Sequence, residues 1–136
     1  MASNKDFNNS KDWIILADED LGFASTNLED EETSYFSQIC FHFQQAAEKY
    51  LKAYVVANNL EFRKIHELPT LLMICQKHNQ DFENLKENCD FLTEFYFETR
   101  YPAHMPISRI TREMAKKAEE SVKHIRNFVK GKLKIK

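Results

Sequence analysis

Apolar residues recur along this chain at helical spacing, in separate blocks. Trp13, Ala17, Leu21, Ala24 and Leu28 fall at steps of four, four, three and four, which is one stripe of a helix. Ser10 or Asp12 is placed to cap it. The acidic run from Glu29 to Glu32 follows. Carboxylates are unfavourable at a helix C-terminus and favourable at the next N-terminus, so the run marks the end of one helix and the start of another. Phe36, Ile39, Phe43, Ala46, Tyr50, Ala53 and Ala57 then alternate steps of three and four. That is the seam of helices packed at a shallow angle. Cys40, Ala47 and Tyr54 widen the stripe, so this helix, from Ser34 to Asn58, is expected at the centre of a bundle.

The segment "ANNLEF" reads as a turn. Pro69 suits a first helical turn, where its missing N–H costs nothing, and opens a short helix with Leu68, Leu71, Leu72 and Cys75 on its apolar face. "QKHNQD" ends it. A fourth helix is expected from Phe82 to Thr99. Leu85, Cys89, Leu92 and Tyr96 form its stripe, Phe91 and Phe95 lie beside it, and Phe97 points elsewhere. A helix apolar on several faces is buried on several faces. A second subunit would cover it, which predicts a homodimer. The last helix runs from Ser108 to Lys130 on Ile110, Met114, Ala118, Val122, Ile125 and Val129. Gly131 is placed to end it, and "KLKIK" reads as a loose basic tail. The pattern predicts an all-α, up-and-down four-helix bundle with one additional short helix. It occupies 10–130, between a frayed polar N-terminus (1–9) and the tail (131–136).

Composition agrees with long helices and few turns: 136 residues hold two glycines and three prolines. Eleven phenylalanines and five tyrosines can fill one core and leave aromatic surface for an interface. The net charge of −2 is unevenly spread. Residues 1–108 carry nine Lys/Arg against 18 Asp/Glu, a net −9, and residues 109–136 carry ten against three, a net +7. A basic helix on an acidic body can attract a polyanion, or it can be a solvated face. Cys40, Cys75 and Cys89 are odd in number, widely spaced and without a C-x-x-C, as buried thiols in a reducing compartment are. No signal-peptide core and no bilayer-length apolar run occur. The expectation is a soluble cytoplasmic protein that does not engage membranes.

Chemistry concentrates in "FYFETRYPAHMP" (Phe95 to Pro106). Pro102 disfavours helical geometry at Tyr101, so the helix should close near Arg100. There a cation is favoured by the exposed carbonyls. That alone explains Arg100, and His104 between two prolines can be a plain loop residue. The functional alternative joins the two. Histidine moves protons near neutral pH, and arginine grips phosphate with two donors. Together they suit metal-independent RNA cleavage by an adjacent ribose 2′-OH. His42, His66, His78 and His124 show no metal-ligand spacing, and no phosphate-binding glycine loop or nucleophile elbow is present. No cofactor is expected.

Four segments in order carry a resemblance. They are "FHFQQAAEKYLKAYVV" (Phe41 to Val56), "IHELPTLL" (Ile65 to Leu72), "TRYPAH" (Thr99 to His104) and "MAKKAEESVKHIRNFV". Together they resemble the HEPN domain family, the higher eukaryotes and prokaryotes nucleotide-binding domains, over Trp13 to Val129. The resemblance implies a helical bundle that dimerises. It also implies, as in many members, a ribonuclease whose Arg-x(4–6)-His motifs meet in a dimer cleft. Such proteins are often the toxin paired with a minimal nucleotidyltransferase, which can silence them by adding AMP to a tyrosine near the motif. Carried over, Arg100 stabilises the phosphate, His104 is the acid/base, and Tyr101 is the nearby tyrosine. Here the spacing is Arg-x(3)-His, one residue short, and Pro106 stands where nuclease relatives often have a tyrosine.

Three readings follow. In the first, a toxin-like ribonuclease dimer uses Arg100 and His104, and Arg109, Arg112, Lys116 and Lys123 hold the RNA backbone. In the second, a non-catalytic nucleotide-binding or adaptor dimer docks a nucleotidyltransferase, with Arg100, Lys49 and Lys52 as phosphate or partner contacts. In the third, these residues only stabilise a scaffold, and Lys49 and Lys52 form a solvated stripe.

Overall fold

A computed structural model describes residues 9–60, 67–95 and 110–134. Its elements are α1 (Ser10–Glu29), α2 (Phe36–Ala57), α3 (Leu68–His78), a 3-10 helix (Gln80–Leu85), α4 (Lys86–Thr93) and α5 (Arg112–Leu133). There is no strand among the described residues. The architecture is the expected all-α bundle with a short extra helix.

α1 and α2 are joined by the short turn 30–35, so they lie antiparallel and make the most extensive contact in the bundle. α2 also packs on α3, α4 and α5, which makes it the central helix. Ile39, Phe43, Ala46, Tyr50 and Ala53 are buried, as their spacing required. Burying a side chain the size of Phe43 contributes about 1.5–3 kcal/mol. Ile14, Ala17, Leu21, Ala24 and Leu28 of α1 close one side of this core. Ala118, Val122, Ile125 and Val129 of α5 close another. Leu68, Leu71, Leu72 and Cys75 anchor α3.

Several helix ends differ from expectation. Asn9, rather than Ser10 or Asp12, caps α1, its Oδ1 accepting from the Lys11 amide at 2.9 Å. The second helix starts at Phe36 rather than Ser34, without a side-chain cap. The acidic run therefore ends α1 and forms the turn, where Asp30 Oδ1 accepts from the Glu32 amide at 2.9 Å. Residues 80–85 form a 3-10 turn in place of the first part of the fourth helix, so α4 begins only at Lys86. The Asn79 side chain caps that turn by accepting from the Asp81 amide. α5 begins at Arg112, because Thr111 Oγ1 accepts from the Met114 amide at 3.2 Å and fixes the start there. It runs through Gly131 to Leu133 and ends on Lys134 in the left-handed region, at φ 57°. Lys132, expected in a loose tail, donates to Asp81 at 2.7 Å and lies over Phe128. That tie to the 3-10 turn holds the last helical turn in place.

α4 closes at Thr93, short of the expected Thr99, with Glu94 as its C-cap, and the aromatic residues at this end are used inside the chain further than expected. Phe95 is fully buried, edge-on to Phe91 at 5.3 Å, and Phe91 packs on the core under Lys117. Tyr96 and Phe97, also expected on this helix, lie outside the described residues.

Candidate functional site

The buried part of α2 is apolar except for a line of polar side chains. Gln44, Glu48 and Lys52 follow at steps of four and so share a face. They are 1%, 2% and 4% exposed. Lys52 Nζ donates to Glu48 Oε1 at 2.7 Å and sits 5.1 Å from the centre of the Trp13 ring on α1. Gln45 Nε2 donates to Gln44 Oε1 at 2.8 Å and to Glu48 Oε2 at 3.4 Å. The amide nitrogen of Gln44 is buried without a hydrogen-bond partner. Burial costs several kcal/mol for each ion before pairing offsets it, and about 1–3 kcal/mol for an orphaned amide. Stability alone gives little reason to keep such groups in the interior, since well-packed apolar residues would serve it as well.

Lys52 is therefore neither a surface phosphate contact nor part of a solvated stripe. Gln44 and Glu48 are polar centres that sequence reasoning missed. Their fourfold spacing was available as a signal, but a polar face at that spacing reads as solvent-facing until the rest of the bundle covers it.

Lys49 also has an internal partner. Its ammonium donates to Asp20 of α1, and Asp20 faces His42 Nδ1 at 3.1 Å. The next residue, Tyr50, donates its hydroxyl to Asp18, whose other oxygen accepts from Lys130 of α5 at 3.2 Å. Burial, reinforced by the Asp18 carboxylate, pushes the Tyr50 phenol well above its ordinary range. These groups tie three helices together.

Arg112 caps another element. Its guanidinium donates to the carbonyls of Leu28 at 2.8 Å, Asp30 at 3.2 Å and Glu31 at 3.3 Å, and lies over the Phe36 ring. Leu28 is in the last turn of α1, whose carbonyls have no helical partner, and Asp30 and Glu31 belong to the turn that follows. The candidate RNA contact is thus engaged in closing the α1–α2 turn. Lys116, by contrast, is exposed on the outer face of α5, with Lys123 one further exposed cation paired to Glu119 at 3.6 Å. Arg100, Tyr101, His104 and Arg109 lie outside the described residues, as does His66.

The described histidines and cysteines do not converge. The Tyr54 hydroxyl and His78 Nδ1 are 2.6 Å apart at the far end of α2, and Tyr54 is raised above the ordinary phenol range, chiefly by burial. Burial pushes the Cys75 and Cys89 thiols up to about 12. They are free and buried, as expected of inert structural thiols. No group of three His, Cys, Asp or Glu among the described residues could hold a metal ion. No helix among them is long and apolar enough to cross a membrane.

Comparison with known proteins places this arrangement. A search of curated proteins gives no match. TT1696 from Thermus thermophilus is a solved structure similar to this one, with a TM-score of 0.73 and 29% identity. The match covers 92% of this chain and 98% of that one. ST0689, an archaeal HEPN homologue, is similar with a TM-score of 0.72 and 26% identity, over 91% of this chain and 97% of that one. The family model of the HEPN domain matches residues 10–132, which spans α1 with its polar ties to α2 and nearly all of α5. With the bundle, the "QQAAEKYLKA" line on α2 and this match in agreement, the chain belongs to the HEPN domain family.

Proposed function

We propose that this chain is a toxin-like HEPN ribonuclease, working as a homodimer through Arg100 and His104 without a metal. Neutral His104 takes the proton of a ribose 2′-OH. The freed oxygen attacks the adjacent phosphorus, the P–O5′ bond breaks, and the 5′ oxygen leaves with a proton taken from water, giving a 2′,3′-cyclic phosphate and a 5′-hydroxyl, while protonated His104 returns its proton to solvent. Arg100 stabilises the charge that builds on the phosphate. The observation that carries the reading is the buried line Gln44–Glu48–Lys52 in a HEPN chain. A bundle needing only stability would be served as well or better by apolar residues there. In this reading Lys116 and Lys123, exposed on the outer face of α5, would meet the RNA backbone. In the same proposal a minimal nucleotidyltransferase is the partner, with Tyr101 as the acceptor of AMP, and Tyr96 and Phe97 contribute to the dimer.

A second reading is favoured by one observation. Lys49, Lys52 and Arg112 all have intramolecular partners, which leaves fewer free cations for a polyanion. On that reading the dimer binds a nucleotide or docks the nucleotidyltransferase without cleaving RNA.

Incubation of the purified chain with total tRNA and a chelator separates the two. Cleavage that disappears in both Arg100→Ala and His104→Ala, with their melting curves unchanged, is the expected result. An inert wild type that binds nucleotide only with Arg100 present would replace the first reading by the second. Light scattering that reports a monomer at micromolar concentration would remove the dimer from both.

A further inference from the structure

The outer face of α1 carries exposed apolar side chains that nothing among the described residues covers. Asp12, Leu16, Glu19 and Phe23 recur at steps of four, three and four, with Ile15 beside them. All five are exposed, Phe23 at 56%, Ile15 at 54% and Leu16 at 42%. They stand opposite the buried stripe Ile14, Ala17, Leu21, Ala24 and Leu28. Inward, the three-four spacing is apolar throughout, as in a packed helix; outward, the same spacing alternates acid with apolar, Leu16 and Phe23 standing two turns apart with Asp12 and Glu19 in alternation.

Two details distinguish this face from scattered surface apolar residues. Phe23 is not loose: the His42 ring stands edge-on to it at 4.8 Å, and Asp20 holds His42. A side chain fixed before binding loses less entropy on binding. Gly22 lies on the same outer side. A Cβ added there would meet nothing within 4 Å, and its backbone is helical, so neither packing nor conformation within the chain requires glycine. A missing side chain beside Phe23 lets another backbone come close.

Charge selects the occupant. Segment 10–33 carries eight acids and one lysine. Asp18 and Asp20 are tied to α2 and α5, but Asp12 and Glu19, between the apolar positions, have no ion-pair partner among the described residues. A second copy of α1 would set these carboxylates against their own kind. The outer face of α5 has the right sign, yet none of its exposed residues is a large apolar one to cover Leu16 and Phe23. We propose that this face of α1 docks a basic amphipathic helix of another protein, its lysines or arginines facing Asp12 and Glu19 and its apolar residues covering Ile15, Leu16 and Phe23. The proposal goes beyond the ribonuclease reading and does not depend on it.

The test uses the full chain and two synthetic helical peptides. One is built of leucine and lysine with lysines seven residues apart, and the other has glutamate in place of each lysine. Fluorescence anisotropy is expected to show the lysine peptide binding wild type and the glutamate peptide not binding. Leu16→Ser/Phe23→Ser keeps every acid, so a loss of at least about tenfold there separates a built seam from diffuse attraction to an acidic surface. Asp12→Lys/Glu19→Lys should reverse the preference between the peptides. Absence of lysine-peptide binding by wild type, or binding indifferent to Leu16→Ser/Phe23→Ser, overturns the proposal. So does light scattering in which a wild-type dimer becomes a monomer with Leu16→Ser/Phe23→Ser, since the occupant would then be a second copy. Thermal melts of both variants check that the fold is intact, as these exposed positions predict.

Discussion

Two helix faces in this molecule put residues where their chemistry is least at home, and they manage it in opposite ways. On α2, Gln44, Glu48 and Lys52 take charge and amide groups into the interior. On α1, Ile15, Leu16 and Phe23 hold apolar surface out to solvent. The buried line is largely compensated from within: Lys52 meets Glu48 and the Trp13 ring, and Gln45 reaches both Gln44 and Glu48. The exposed line has, among the described residues, the edge of His42 against Phe23. Polar groups that are inside and paired point to chemistry or specificity within the chain. Apolar groups that are outside and uncovered point to something beyond it.

The comparison breaks most sharply at Glu48. Glu48→Ala leaves the Lys52 ammonium buried without its carboxylate, and should cost about 3–5 kcal/mol in urea unfolding. Glu48→Leu with Lys52→Met removes both charges and should recover most of that loss, because a well-packed apolar pair serves stability as well as a buried ion pair. Should the double variant be stable but unable to cleave tRNA, the line is retained for function. Should it be stable and fully active, the line has no part in catalysis. A smaller effect is expected at Arg112. Arg112→Ala strips donors from the carbonyls of Leu28, Asp30 and Glu31, and should cost about 1.5–3 kcal/mol, the range for hydrogen bonds to a charged group. If binding to RNA fell while stability held, the capping role would be secondary.

How far the sequence reached follows the same division. The seam of α2 was legible because its residues repeat a helical period, and a period survives in one dimension. The start of α3 was legible because Pro69 has few places to go in a helix. The stop at Gly131 was misread. Glycine permits a helix to end without requiring it, and the contact from Lys132 to Asp81 holds the last turn closed across 51 positions of sequence. The roles of Lys49 and Arg112 were hidden for a related reason: a cation's partner is chosen by the fold, while for Lys52, whose partner Glu48 is four positions away, it was the burial that was hidden. Asp20 lies 29 positions from Lys49, and Leu28 lies 84 positions from Arg112. Arg100 and His104 were singled out by residue type and family resemblance, neither of which fixes geometry.

Alkaline pH probes the buried side as a whole. Cys75, Cys89 and Tyr50 all have folded-state values raised by burial. Their protonated forms are favoured in the folded chain, so the contribution is fully present below the unfolded thiol value, near 9, and is lost as pH rises toward 12. Each group should lower stability by about 1.4 kcal/mol per pH unit above its unfolded value. Denaturant midpoints measured from pH 8 to pH 11 should therefore fall progressively. Cys75→Ala/Cys89→Ala should flatten the curve between pH 9 and pH 10, even though it lowers stability overall. A flat wild-type curve would mean that the thiols reach solvent more freely than their burial indicates.

The smallest effect tests the exposed side. Gly22 stands within α1, where glycine is destabilising by about 1 kcal/mol relative to alanine, because more backbone freedom is lost on folding. An alanine methyl there would meet no atom within 4 Å, so no clash offsets the gain. Gly22→Ala should raise stability by about 0.5–1 kcal/mol, read as a higher melting temperature. The same variant should bind the lysine peptide more weakly if the missing side chain is what allows another helix close to Phe23. A stability gain with unchanged peptide binding would leave the Leu16–Phe23 seam in place but remove the glycine from it. A stability loss would show that the chain itself uses the space, and the contrast between an inward face that is filled and an outward face that is open would fail at this point.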